Sequence, residues 1–159
     1  MSVTELSVNE EDTMQDLFII FNLDDKEFGI EIRFLIEIIA FQAITQIPNL
    51  PEYIRGVINL RGKVIPVIDV RLRFGMPSKE YNDFTCILIV HHNEITSGLI
   101  VDGVREVLRI PADDIEPSPG FESSSVERFI DSIGKAEDKL KILINLDKFI
   151  REKDVASAI

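Results

Sequence analysis

The residues that most often carry chemistry are few in this chain and poorly spaced for it. His91 and His92 are its two histidines, and they are neighbours. Adjacent residues of a strand point to opposite faces, so the pair reads as strand-end histidines rather than as ligands of one metal or one substrate. Cys86 is the only cysteine, which rules out an internal disulfide. It opens an apolar run and reads as a small core residue. Asp24–Asp25 sit in a turn that favours aspartate, Asp113 and Asp114 begin a helical turn, and Ser123–Ser125 read as loop. There is no GxGxxG, Walker A loop, HExxH or CxxC pair, and no nucleophile with a base beside it. These residue types give no catalytic site, no cofactor site and no metal site.

One constellation remains, in the stretch YIRGVINLRGKVIPVIDVRLRFG, Tyr53 to Gly75. Two apolar runs are interrupted by Arg61, Gly62 and Lys63, and Pro66 stands inside the second run. The plain account is a solvated turn arginine, a left-handed turn glycine and an edge-strand proline. The other account is a stiff ribbon that presents a charged tip. Glu37 belongs to the same constellation, and it is expected on one surface with Arg61, within ion-pair reach.

The elements that would hold such a tip are short strands. Leu17–Ile32 gives an apolar strand, a polar turn at Asp24–Glu27 and an alternating strand with Phe28, Ile30 and Ile32 on one face. The form returns at Cys86–Leu108, 69 residues on, with Phe18 falling on Ile87, Gly29 on Gly98 and Glu37 on Glu106. A second echo sets VINLRGK (Val57–Lys63) against FIDSIGK (Phe129–Lys135), which places Arg61 opposite Ile133. VIPVID (Val64–Asp69) similarly resembles ILINLD (Ile142–Asp147). The chain therefore reads as two copies of one antiparallel unit of about five short strands, in a small barrel or sandwich. Helix is expected only around Ile32–Ile38, Val70–Phe74 and Leu146–Lys153, and Ile110–Ser125 reads as a long connection.

Composition narrows the partners. The 159 residues carry 17 Lys+Arg against 28 Asp+Glu, a net charge of −11. That field repels a phosphate backbone, so nucleic acid is excluded as a partner class. The first 15 residues hold acids and no base, and read as a solvated tail. No apolar run approaches the roughly 20 residues of a membrane span, which implies a cytoplasmic chain without direct membrane insertion.

The Tyr53–Gly75 run closely resembles the central motif of CheW-type chemotaxis coupling proteins. FGIEIRFLIEII (Phe28–Ile39) is similar to the family's G-I-x-I-x-x-V-x-E-I segment, with Leu35 at the usual valine. YNDFTCILIV, GLIVDGVREVL and ILINLDKFI resemble its later strands and closing helix. The resemblance covers a domain of residues 16–153, between the 1–15 tail and a short tail at 154–159. It implies an all-β fold of two intertwined five-stranded SH3-like barrels with short helices, one of them C-terminal.

The resemblance also implies a non-catalytic adaptor without cofactors. One face would grip the regulatory domain of the histidine kinase CheA. The groove between the barrels would take the cytoplasmic tip of a methyl-accepting chemoreceptor and so recruit the chain to membrane receptor arrays. Carried over by motif, Leu35, Glu37, Gly56, Asn59, Arg61 and Gly62 fall at partner contacts, with Ile87 and Val107 as apolar groove positions. The alternative is a stand-alone β-barrel module that binds a peptide or small ligand outside chemotaxis.

Overall fold

The computed structural model describes residues 14–118, 127–151, 154–155 and 158. The Ser123–Ser125 loop and the expected acidic leader, apart from its residues Met14 and Gln15, lie outside the described residues. Among the described residues eleven strands run in order: β1 (Leu17–Leu23), β2 (Lys26–Glu31), β3 (Leu35–Ala40), β4 (Ile54–Leu60), β5 (Lys63–Asp69), β6 (Cys86–His92), β7 (Ile95–Val101), β8 (Gly103–Arg109), β9 (Ile115–Pro117), β10 (Ile130–Ala136) and β11 (Lys139–Ile144). One-turn helices α1 (Val70–Arg73) and α2 (Leu146–Phe149) follow β5 and β11. Asp69 and Asn145 cap them by accepting the backbone N–H groups of Leu72 and Lys148.

The strands are rich in isoleucine, valine and phenylalanine, which suit a pleated and half-buried surface. Three hairpins turn on two residues that both have positive φ: Arg61–Gly62, Asn93–Glu94 and Glu137–Asp138. This is the mark of the turn whose twist matches the flanking strands.

Two mixed sheets result, ordered β8-β1-β2-β11-β10-β9 and β3-β6-β7-β5-β4. The first half of the chain thus lends its β1–β2 hairpin to the sheet built mainly by the second half. The second half lends β6–β7 in return. Each loan is sealed by a short parallel seam, β2 with β11 and β7 with β5. This exchange is the intertwining the resemblance implied. Each sheet curls around a small cluster, Ile58, Ile65, Val67, Ile87, Ile89 and Ile100 in one and Phe18, Ile20, Ile110 and Leu143 in the other. A larger core of Phe21, Phe28, Ile30, Phe74, Leu88, Leu99, Phe129, Phe149 and others joins the sheets. Arg73 staples the halves: Nε donates to the Phe149 carbonyl at 2.8 Å, and the guanidinium lies 4.3 Å from the Tyr53 ring and 4.2 Å from the Phe129 ring.

The repeat is real, and its second echo shifts. β1, β2 and β3 match β6, β7 and β8 at the offset of 69 read from sequence. The register of β4–β5 matches that of β10–β11 at an offset of 76, since Leu60↔Lys63 corresponds to Ala136↔Lys139. The counterpart of Arg61 is therefore Glu137, not Ile133. Turn geometry fixes hairpin register, and the glycine-lysine likeness that suggested otherwise is displaced by four residues. The six-stranded sheet owes its extra member to β9, whose equivalent in the other sheet is the single bridge Thr45↔Val57.

Three other expectations change. Within the expected Ile32–Ile38 helix only a 3-10 turn at Ile32–Phe34 forms, because Leu35–Ala40 pairs with β6 as a strand; tertiary pairing overrides local pattern there. Pro66 lies on an inner strand, β5, not an edge. The parallel ladder with β7 begins only at Val67, so no partner on that side needs the missing proline N–H. Finally, Val155 and Ala158 are buried in the central core, so packing extends past Lys153 into the expected tail.

Candidate functional site

The β4–β5 hairpin presents Arg61 at its tip, with φ of 52° at Arg61 and 87° at Gly62. Asn59 holds the turn: its Oδ1 accepts the Gly62 N–H at 2.9 Å. A Cβ on Gly62 would meet nothing, so glycine serves the backbone angle alone. The Arg61 side chain is 70% exposed, yet it is not free to wander. Both terminal nitrogens meet the Glu37 carboxylate, Nη1 on Oε1 and Nη2 on Oε2 at 2.7 Å. This two-point fork holds the planar guanidinium in one orientation. The Arg61 hydrogen bond holds the Glu37 carboxyl below the usual glutamate range against an opposing effect of desolvation, with the arginine charge adding to the lowering.

Glu37 comes from β3, where burial alternates residue by residue. Leu35, Glu37 and Ile39 are half-buried, whereas Ile36 and Ile38 stand exposed. Sequence reasoning missed these two isoleucines. In LIEIIA both faces of the strand carry aliphatics, so alternation gives no polar face to mark the outside. Val107, the repeat counterpart of Ile38, is likewise exposed on β8.

Two of the eight carried-over positions are displaced from a contact role. Ile87 is fully buried in the small core of the five-stranded sheet and lines no groove. Gly56 is buried with φ of 143°, and a Cβ there would lie 2.0 Å from the Thr45 carbonyl oxygen. That glycine admits the Thr45–Val57 bridge. It underlies the surface instead of forming it.

The remaining chemistry-bearing residues are occupied or buried. His91 Nδ1 meets Thr96 Oγ1 at 2.9 Å, and His92 Nε2 pairs with the Asp147 carboxylate, which also accepts Asn93 Nδ2 at 3.0 Å. The histidines diverge, as their adjacency required. Burial pushes the Cys86 thiol up, away from a reactive thiolate. Among the described residues, no group of three or more His, Cys, Asp or Glu side chains could hold a metal ion, and no helix is long and apolar enough to cross a membrane. A concavity of about 880 Å³ is lined by Phe18, Phe34, His92, Leu143 and Asp147, among others. Its charged lining differs from the closed apolar cavity that a small-ligand module would favour.

The repeat makes the Arg61 tip singular. Glu106 and Glu137 occupy the positions of Glu37 and Arg61 in the second copy, so two acids stand where the first copy forms its ion pair.

Comparisons with known proteins agree with this architecture. The family model described as CheW-like domain matches residues 17–154. Chemotaxis protein CheW of Klebsiella aerogenes is 32% identical over 145 residues, covering 91% of this chain and 87% of that protein. Chemotaxis protein CheW of Helicobacter pylori is 35% identical over 135 residues, covering 85% and 81%. The crystal structure of the scaffolding protein TtCheW from Thermoanaerobacter tengcongensis superposes with a TM-score of 0.78 at 37% identity, covering 86% of this chain and 88% of that one.

Proposed function

The chain belongs to the family of CheW-like domains, and from that premise we propose that it is a chemotaxis adaptor coupling the cytoplasmic tip of chemoreceptors to the histidine kinase CheA. The observation that carries this reading is the Arg61 tip, an exposed guanidinium held in one orientation by Glu37. Arginine is enriched among interface anchors, and an apolar surface with one fixed charge suits one face of an amphipathic helical hairpin.

In this proposal Arg61, Glu37, Asn59, Gly62, Leu35 and Val107 form the partner surface, extended by Ile36 and Ile38. Gly56 and Ile87 support it from beneath. No catalytic step, cofactor or membrane insertion is involved, and the protein acts in the cytoplasm at receptor arrays. Kinase control by binding alone requires different contact energies in the kinase's two states, typically ~1–3 kcal/mol.

The test is a pull-down of the full chain with a receptor cytoplasmic fragment and with a CheA kinase, using Arg61→Ala as control. Binding of both partners, weakened by the substitution, is expected. Failure to bind either one at tens of micromolar ends the adaptor reading.

A further inference from the structure

The two copies close the ends of their curled sheets differently. In the five-stranded sheet, the connection before β6 lays Tyr81 against the small core. Its ring lies 4.4 Å from that of Phe41, and its hydroxyl donates to Asp69 Oδ2 at 2.8 Å. Burial, and then that hydrogen bond, push the Tyr81 hydroxyl up to about 12. At the offset of 76, Asp69, the cap of α1, becomes Asn145, the cap of α2, while Arg55 and Gly56 become Asp131 and Ser132. At the offset of 69, Phe41 becomes Ile110 and Tyr81 becomes Asp12. The six-stranded sheet keeps the seat and lacks the ring.

The end left open is the concavity of about 880 Å³. Phe18, Ile115 and Leu143 give it an apolar floor, and Asp131, Ser132 and Asn145 stand in its wall. The bulge at Ile130–Ser132 brings Asp131 and Ser132 into the same lining. Ser132 is only 8% exposed, and neither its hydroxyl nor Asn145 Nδ2 has a hydrogen-bond partner among the described residues.

The chain's own start supplies no ring. Met14, Gln15 and Asp16 line the rim, and the residues before them include no aromatic and no base, but carry Glu5, Glu10, Glu11 and Asp12. In the lining, Glu31 is paired with Arg33 at 2.9 Å and Asp147 with His92, whereas Asp16 and Asp131 have no ionic partner among the described residues. Arg109, beside the rim, already donates to the Gln15 carbonyl at 2.6 Å. Such a rim selects a basic occupant.

We propose that this open end is a socket for a tyrosine carried on a basic segment of a partner protein. The ring packs on Phe18, Ile115 and Leu143, as Tyr81 packs in the other copy. Its hydroxyl accepts from Asn145 Nδ2 and donates to the Asp131 carboxylate, and flanking lysines or arginines face Asp16. A tyrosine brings a large rigid surface at small entropic cost. The socket shares no residue with the Arg61–Glu37 surface and does not rest on the adaptor reading.

Fluorescence anisotropy on the full chain tests this, with a labelled peptide of lysines and serines around one tyrosine. The peptide is expected to bind, to weaken about fivefold with phenylalanine in place of tyrosine, and to lose binding with alanine there. Asp131 is exposed, so Asp131→Ala should leave the fold intact and erase the difference between the tyrosine and phenylalanine peptides. Arg61→Ala should change nothing. In NMR the Leu143 methyl signals should move upfield under the incoming ring. Equal binding of the tyrosine and alanine peptides, or a full tyrosine preference in Asp131→Ala, overturns the proposal. So does a nuclear Overhauser contact from Leu6 or Val8 to Phe18 in the free chain, which would make the socket's occupant the chain itself.

Discussion

Arg61 owes its place to three local facts: a turn that needs positive φ at two residues, an asparagine that closes it, and a glutamate across the gap on β3. None of these puts the arginine into the core. Arg61→Ala should therefore weaken partner binding while leaving the thermal midpoint nearly unchanged, as for other exposed ion pairs; a large drop in midpoint would assign it to stability instead. The pair also has a signed pH dependence. Glu37 titrates below its ordinary range in the folded chain, so the contribution of the pair is complete above the unfolded value and fades as pH falls through the folded one. A carbon-13 NMR titration should find the Glu37 midpoint raised in Arg61→Ala. Gly56 is the opposite kind of residue. Gly56→Ala should cost about 3 kcal/mol or more, because φ is positive and the new carbon meets a backbone carbonyl that has little room to yield. Chemical denaturation measures it.

At the scale of elements, the two parallel seams are closed differently. Where β11 meets β2, buried Lys141 donates to buried Glu27 at 2.9 Å, with Arg105 Nε 3.0 Å from the same carboxylate. The equivalent positions of the other seam are Ile65 and Thr96, which carry no charge. A seam of this shape thus tolerates a neutral filling. Lys141→Met alone should destabilise by about 3 kcal/mol, since it strips a buried carboxylate of its closest partner. The double variant Glu27→Leu with Lys141→Met should recover most of that loss in urea titrations. Additive losses in the double-mutant cycle would contradict this account.

At the scale of the molecule, the exchange of hairpins decides how the chain folds. Neither half owns a complete sheet: β1 needs β8, β2 needs β11, and β3 needs β6. Residues 1–75 and 76–159, made separately, are expected to lack cooperative unfolding, and mixing them should restore the β-sheet circular dichroism signal. Independent folding of either fragment would refute the interdependence. Acid should act on the whole in the same direction as on its parts. Hydrogen bonds from Arg71, Lys141 and His92 hold Asp24, Glu27 and Asp147 low, so stability is held at neutral pH and declines below about pH 4.

Much of this was legible in the residues themselves. Alternation and turn chemistry are local, so strands, most turns and the first repeat offset could be read directly, whereas the pairing of Glu37 with Arg61 was an expectation that only the structure could establish. What could not be read depends on contacts between residues far apart in the chain. Only the assembled sheets showed that β3 is a strand throughout, that Ile87 is core while Ile36 and Ile38 are surface, and that Glu137 stands where Arg61 stands. An aliphatic residue looks the same in sequence whichever face it occupies. A strand's inner face is settled by the neighbours that pack on it, and here those neighbours come from the other half of the chain.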